Sequence, residues 1–226
     1  MFIGHFAPAF AARAITDEAP KLGTLFLAAQ LVDWAFFLLA IVGIEKLRLV
    51  PGITTMNSLD LYHMPYTHSL AGSAIWAMGF GLVIWLVTRN LVGATWGALV
   101  VMSHWLLDLL VHRPDLTIAG GETRYGFGLW NAPSIEMPLE IGIVLLAYWF
   151  YIRRTKGPLV PPLILLAALL LFQAIDWFGT KPATAGIGMY LLALASYGFL
   201  TALAIWVQST RWHKNKVGLA VPSVRR

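Results

Sequence analysis

The stretch Leu91-Val92-Gly93-Ala94-Thr95-Trp96-Gly97-Ala98-Leu99-Val100-Val101-Met102-Ser103-His104-Trp105-Leu106-Leu107-Asp108-Leu109-Leu110-Val111 runs 21 residues with a single acidic side chain and no Lys or Arg. As a helix rising about 1.5 Å per residue it is about 30 Å long, the thickness of a bilayer's hydrocarbon core. Five further runs share this character, at residues 24–44, 70–88, 136–152, 158–178 and 187–207. The expected fold is therefore all-α, a polytopic membrane bundle of about six transmembrane helices. Residues 1–210 read as one integral membrane domain and 211–226 as a basic cytoplasmic tail. Composition agrees. Of 226 residues, 58% are hydrophobic and 12% charged, about half the charged share of a soluble domain. That excludes a disordered chain and an ordinary cytosolic globule. With no Cys, disulfides, thiolate catalysis and Cys-based zinc or iron–sulfur sites are excluded as well. Ten Trp suit rings anchored at two water–lipid interfaces.

The first twelve residues are apolar but too short to span. They lack the basic start of a signal peptide, and Pro8 argues against a long regular helix. They read as an interfacial or re-entrant segment. Lys and Arg set orientation. Arg13, Lys21, Arg89, Arg153, Arg154, Lys156 and the tail from Arg211 onward fall on one side, 11 of the 16 basic residues. Both termini are expected in the cytoplasm, with the chain integral to the inner membrane. The loops at 45–69 and 112–135 then face outward. The net charge of +5 reflects this topology, and no nucleic-acid partner is expected.

The few polar residues inside the spans carry the chemistry, because ionisable groups at that depth are costly and mark function. His104, Asp108 and His112 are spaced i, i+4, i+8, one helical face. Imidazole and carboxylate there can hold one metal ion, as two His do on a zincin helix. A plain His–Asp hydrogen bond near a helix end is the structural alternative. His63 and His68 flank Pro65, with Thr67 or Ser69 placed to cap the next span. One of these His reads as a ligand and the other as a neighbouring catalytic or substrate contact. Asp33 lies ten residues into an apolar run. Asp176 sits near a span end, and His213 reads as solvated in the tail. His5 counts only if the N-terminal segment folds back. Glu136 and Glu140, again i, i+4, open the fourth span as a possible base or second metal site, or as acids favoured by a helix N-terminus.

Taken in order, Gly4-His5, Asp33, Tyr66-Thr67-His68-Ser69-Leu70 and Ser103-His104 with Asp108 resemble the YdjM/DUF457 type of membrane-bound metal-dependent hydrolase, over about residues 1–145. The resemblance implies a helical inner-membrane protein whose His and Asp residues gather around a metal. The order is also similar to that of zinc-dependent phospholipase C and related nucleases. Their final His-x-x-x-Glu pair falls here on Glu136 and Glu140. Glu in place of His turns a second ion toward Mg²⁺ or Mn²⁺.

These readings converge on hydrolysis at the membrane. One or two divalent ions, zinc first, would be held by His5, Asp33, His68, His104 and Asp108. Glu140, Glu136 or His63 would handle protons. Arg113, Arg124 and His112 would bind an ester or phosphoester that is a lipid or lipid-linked. The same residues would also suit a metal-ion or proton transporter, or His68 and His104 a haem. One tension is geometric. Counted from the basic end, Asp33 lies about 14 Å deep and Asp108 about 26 Å. Shared ligation then needs a tilted, shifted or unwound first span.

Overall fold

A computed structural model describes residues 1–180, 182 and 184–214. Lys181 and the tail at 215–226, with Lys216, Arg225 and Arg226, lie outside the described residues. After a 3-10 turn at Ile3–Phe6, the helices are α1 (Ala7–Ile15), α2 (Leu22–Ala29), α3 (Leu31–Ile41), α4 (Leu70–Thr88), α5 (Leu91–Val111), α6 (Pro133–Arg154), α7 (Val160–Phe178) and α8 (Ile187–Thr210). Five of them, α4 to α8, are long and apolar enough to cross a membrane, and the bent pair α2–α3 makes a sixth candidate. The fold is an all-α bundle of membrane-span-like helices.

Local signals set the boundaries. Ser69 caps α4, its Oγ accepting the Gly72 N–H at 2.9 Å. Asn90 does the same for α5 through Gly93 at 3.0 Å. Pro133 opens α6 in the first turn, where a missing N–H costs nothing. The helix therefore starts three residues before the expected 136. Helices α4 and α5 form the closest pair. A Cβ on Gly81 would meet the Ala94 carbonyl and Ala98 Cβ at 3.2 Å, so small residues let the two backbones approach. Val83, Val87, Leu146, Leu171 and Phe199 face outward with more than half their surface exposed, an apolar exterior suited to lipid.

Two small sheets close the ends. Strands β1 (Lys46–Leu49) and β2 (Leu59–His63) form an antiparallel hairpin with Arg48 opposite Asp60. At the other end β3 (Thr155–Lys156) pairs with β4 (Trp212–His213). His213 is buried there, its Nε2 3.1 Å from the Ala14 carbonyl. This corrects its reading as a solvated tail residue.

Of the two readings of the N-terminal segment, interfacial or re-entrant, the structure has it inserted into the bundle rather than along a surface. Ile3, Phe6, Phe10 and Ala14 are fully buried, and α1 packs against α6, α2 and α5. Pro8 falls in the first turn of α1, where it is tolerated. Phe6 stacks on Phe26 at 4.5 Å, and Phe10 meets Tyr148 edge-on at 5.7 Å.

The first span is not one straight helix. It breaks at Gln30, and α2 and α3 diverge by 52°. Buried Gln30 donates through Nε2 to the Phe2 carbonyl at 3.1 Å. This bond ties the break to the inserted N-terminus.

Candidate metal centre

Four elements deliver the site. His5 comes from the 3-10 turn, Asp33 from the first turn of α3, His68 from the approach to α4, and His104 and Asp108 from one face of α5. All but Asp33 are buried, and Asp33 is half-buried. Two groups have donor atoms within 4.8 Å of one another: His5, His104 and Asp108; and Asp33, His68 and His104. Together they are the five ligands expected from the sequence. The break at Gln30 removes the depth mismatch. It starts a new helix two residues before Asp33, whose carboxylate reaches His104 of α5.

Distances define the arrangement. Asp108 Oδ1 lies 3.1 Å from His5 Nε2 and 3.6 Å from His112 Nε2. Asp108 Oδ2 lies 3.2 Å from His104 Nε2 and 3.7 Å from His68 Nε2. Asp33 Oδ1 lies 3.3 Å from His68 Nε2 and 3.5 Å from His104 Nε2. Its Oδ2 accepts from the Tyr197 hydroxyl at 3.2 Å. The His5 and His104 rings stack 3.7 Å apart. The Met1 amino group also reaches Asp108 Oδ1, at 3.1 Å. Burial disfavours its charge, but Asp108 and Glu140 more than offset this and raise its pKa.

Hydrogen-bond chemistry then assigns tautomers. His104 Nδ1 faces the Ala29 carbonyl at 2.9 Å, which can only accept, so Nδ1 carries the proton. The Thr67 hydroxyl gives its one proton to Glu45 Oε2 at 2.6 Å, so it must accept from His68 Nδ1 at 2.8 Å. Asp115 Oδ1 accepts from His112 Nδ1 at 2.9 Å. As neutral rings, all three present bare Nε2 lone pairs to the Asp33 and Asp108 carboxylates. His5 Nε2 and His104 Nε2 have no hydrogen-bond partner among the described residues. Buried acceptors turned on one another are unfavourable unless a cation lies between them. The residues therefore fit a metal ion, and a buried His/Asp group that can hold one is present.

The outer support was not visible in sequence. Glu45 also accepts from the Tyr66 and Thr67 N–H groups at 2.8 and 3.0 Å. Trp105 Nε1 donates to the His68 carbonyl at 3.0 Å. Such partners orient metal-binding imidazoles. Glu45 follows an apolar run beside Lys46 and reads as an ordinary span-end charge. Only its return to Thr67, 22 residues later, gives it a role.

The remaining expected site residues divide. His112 is the C-cap of α5, just past the helix, yet its ring turns back to Asp108. Glu140 Oε1 accepts the Phe2 and Gly4 N–H groups at 2.6 and 2.9 Å and so anchors the N-terminal segment. Glu136 sits against Glu140 and leaves its Oε2 without a partner among the described residues. Both line a cavity of about 320 Å³ with His5, Asp33, His68, Asp108 and His112. His63 is not brought to this cavity. Paired with Lys46 at the open end of the hairpin, its ring is exposed, 6.4 Å from Tyr66. Arg113 and Arg124 are also elsewhere. Arg113 is drawn to the buried Asp60 carboxylate, which Arg48 also binds at 2.6 Å. Arg124 donates to the Asp115 carbonyl at 3.3 Å. Both line a second cavity, of about 380 Å³.

The chain matches no protein-family model, no curated protein and no solved structure. What the site can do is read from its own residues.

Proposed function

We propose that this protein is a membrane-embedded, metal-dependent hydrolase of the inner membrane, with zinc as the first ion and an ester or phosphoester of a lipid or lipid-linked molecule as substrate. One observation carries the reading: the Nε2 atoms of His68, His104 and His112 and the carboxylates of Asp33 and Asp108 converge, with N···O separations of 3.2–3.7 Å. Imidazole-rich N/O donor sets suit zinc, and the carboxylates admit Mg²⁺ or Mn²⁺. A divalent ion held there would acidify a water and polarise a carbonyl or phosphoryl oxygen. Glu136, with a free carboxyl oxygen on the same cavity, would carry the proton. Glu140 would position the His5 segment. The Asp115–His112 and Glu45–Thr67–His68 contacts would hold the rings in one tautomer.

Hydrolysis is favoured over transport because the bundle is filled on the side of the cluster toward α1. Phe6, Phe10, Phe26 and Tyr151 form a fully buried apolar and aromatic core there. The excess of Lys and Arg near the β3–β4 end supports a cytoplasmic location for that end.

The test is the metal content of purified protein. Wild type is expected to hold a divalent ion that His104→Ala and Asp108→Ala lose. A metal-free wild type, or both variants retaining the ion, refutes the metal centre. Metal or proton flux in proteoliposomes would favour transport instead.

A further inference from the structure

The charge lining the cavity narrows the substrate. Its described lining carries five carboxyl groups, Asp33, Asp108, Glu136, Glu140 and Asp176, and three imidazoles, but no Arg or Lys side chain. The guanidinium groups that could fork onto a phosphate, Arg113 and Arg124, line the second cavity and are engaged by Asp60 and Asp115. Asp115 stands between the two sites, its carboxylate on His112. A phosphoryl group at the cluster would bring negative charge among five carboxyls, and beyond the ion itself the one cation in the described lining is the Met1 amino group, already paired with Asp108. An ester carbonyl carries no charge until the transition state, when stabilisation is useful.

The walls add the second half. Phe36 and Phe37 of α3, Phe172 and Ile175 of α7, and Leu192 and Tyr197 of α8 line the cavity beyond the His/Asp wall. A volume of about 320 Å³ is at the small end of ligand pockets. It suits one apolar chain rather than a two-chain lipid.

We propose that the substrate is a carboxylic ester of a single, medium-length acyl chain. The chain lies along α3, α7 and α8, and the carbonyl faces the His/Asp cluster. This rests on the hydrolase reading above. In the reaction a water oxygen bonds to the carbonyl carbon while Glu136 takes one of its protons. The acyl C–O bond then breaks, and Glu136 returns the proton to the departing alkoxide. The products are a carboxylic acid and an alcohol, with no redox change.

The experiment uses full-length protein in detergent, loaded with zinc. It compares p-nitrophenyl acetate, butyrate and octanoate with p-nitrophenyl phosphate and bis-p-nitrophenyl phosphate. KM is expected to fall about three- to fourfold per added CH₂ as the chain enters the cavity. The two phosphoesters should turn over at least a hundredfold more slowly than the octanoate. Ala193→Trp, which fills the α8 wall, should raise KM for octanoate at least tenfold more than for butyrate. Binding is read separately by thermal shift. The ester-like ketone 2-decanone should raise the melting temperature more than octyl phosphate does. Faster phosphoester turnover, a KM independent of chain length, or stronger stabilisation by octyl phosphate overturns the substrate assignment and leaves the hydrolase reading standing. No turnover of any ester or phosphoester by metal-loaded protein overturns the hydrolase reading itself.

Discussion

Replacing Thr67 with Val keeps the shape of a buried side chain and deletes one oxygen. That oxygen links Glu45 Oε2, at 2.6 Å, to His68 Nδ1, at 2.8 Å. In Thr67→Val the His68 ring loses the acceptor that holds its proton on Nδ1, and both partners become unpaired in a buried place. Loss of such outer contacts typically weakens metal binding 10- to 100-fold, about 1.4–2.7 kcal/mol. Each orphaned group also costs about 1–3 kcal/mol of stability. Thr67→Ser keeps the hydroxyl and should bind metal within about threefold of wild type, since a methyl group makes no hydrogen bond. The assay is competition for zinc against a chromophoric chelator, with circular dichroism confirming helical content in each variant. Equal affinity in Thr67→Val and wild type, or equal weakening in Thr67→Ser and Thr67→Val, would refute the tautomer argument for His68.

Other outcomes follow from the same contacts. Gly72→Ala would put a Cβ 2.5 Å from the Tyr66 carbonyl oxygen. The push on the turn bearing His68 should cost about 1–3 kcal/mol and weaken metal binding, read by thermal melting and the same competition. His63→Ala should leave metal content unchanged, as measured by elemental analysis. A loss of metal there would place His63 at the centre after all. Arg211→Lys should lower the melting temperature, because the guanidinium spans Thr155 Oγ1 and the Gly157 and Pro158 carbonyls at 2.8–3.0 Å, a fork an ammonium cannot reproduce. The expected loss is about 1.5–3 kcal/mol. An unchanged melting temperature would mean these bonds add nothing net.

The apolar runs made the bundle legible, because a bilayer-length helix needs little beyond hydrophobicity and length. The five His and Asp residues that gather in the bundle were legible for the converse reason. His and Asp are expensive inside such runs, so their presence marks a purpose. The rest depended on tertiary placement. Gln30 sits in a run that reads as continuous helix, and nothing local announces a 52° break stabilised by the Phe2 carbonyl. The N-terminal segment was judged by its length against a bilayer, whereas its Phe and Ala side chains fill the bundle interior. Arg113 and Arg124 looked like phosphate binders by proximity in sequence to His112. The buried carboxylate of Asp60, 53 residues earlier, redirects Arg113. His63 was grouped with His68 by spacing, and the hairpin pairing separates them.

The N-terminal insertion has a consequence for assembly. Phe2 and Gly4 are held by Glu140, and Ile3 by Gln173, partners 136–170 residues downstream. During synthesis these residues must therefore wait until α6 and α7 exist before they can be seated. Contacts of such long sequence separation form late, after their loop-closure entropy has been met. The centre is thus completed by joining residues made before α2 to helices made after α5. A chain truncated after α5 would contain all five expected ligands and still lack the carboxylate that seats His5, so ion loading would report that the bundle has closed.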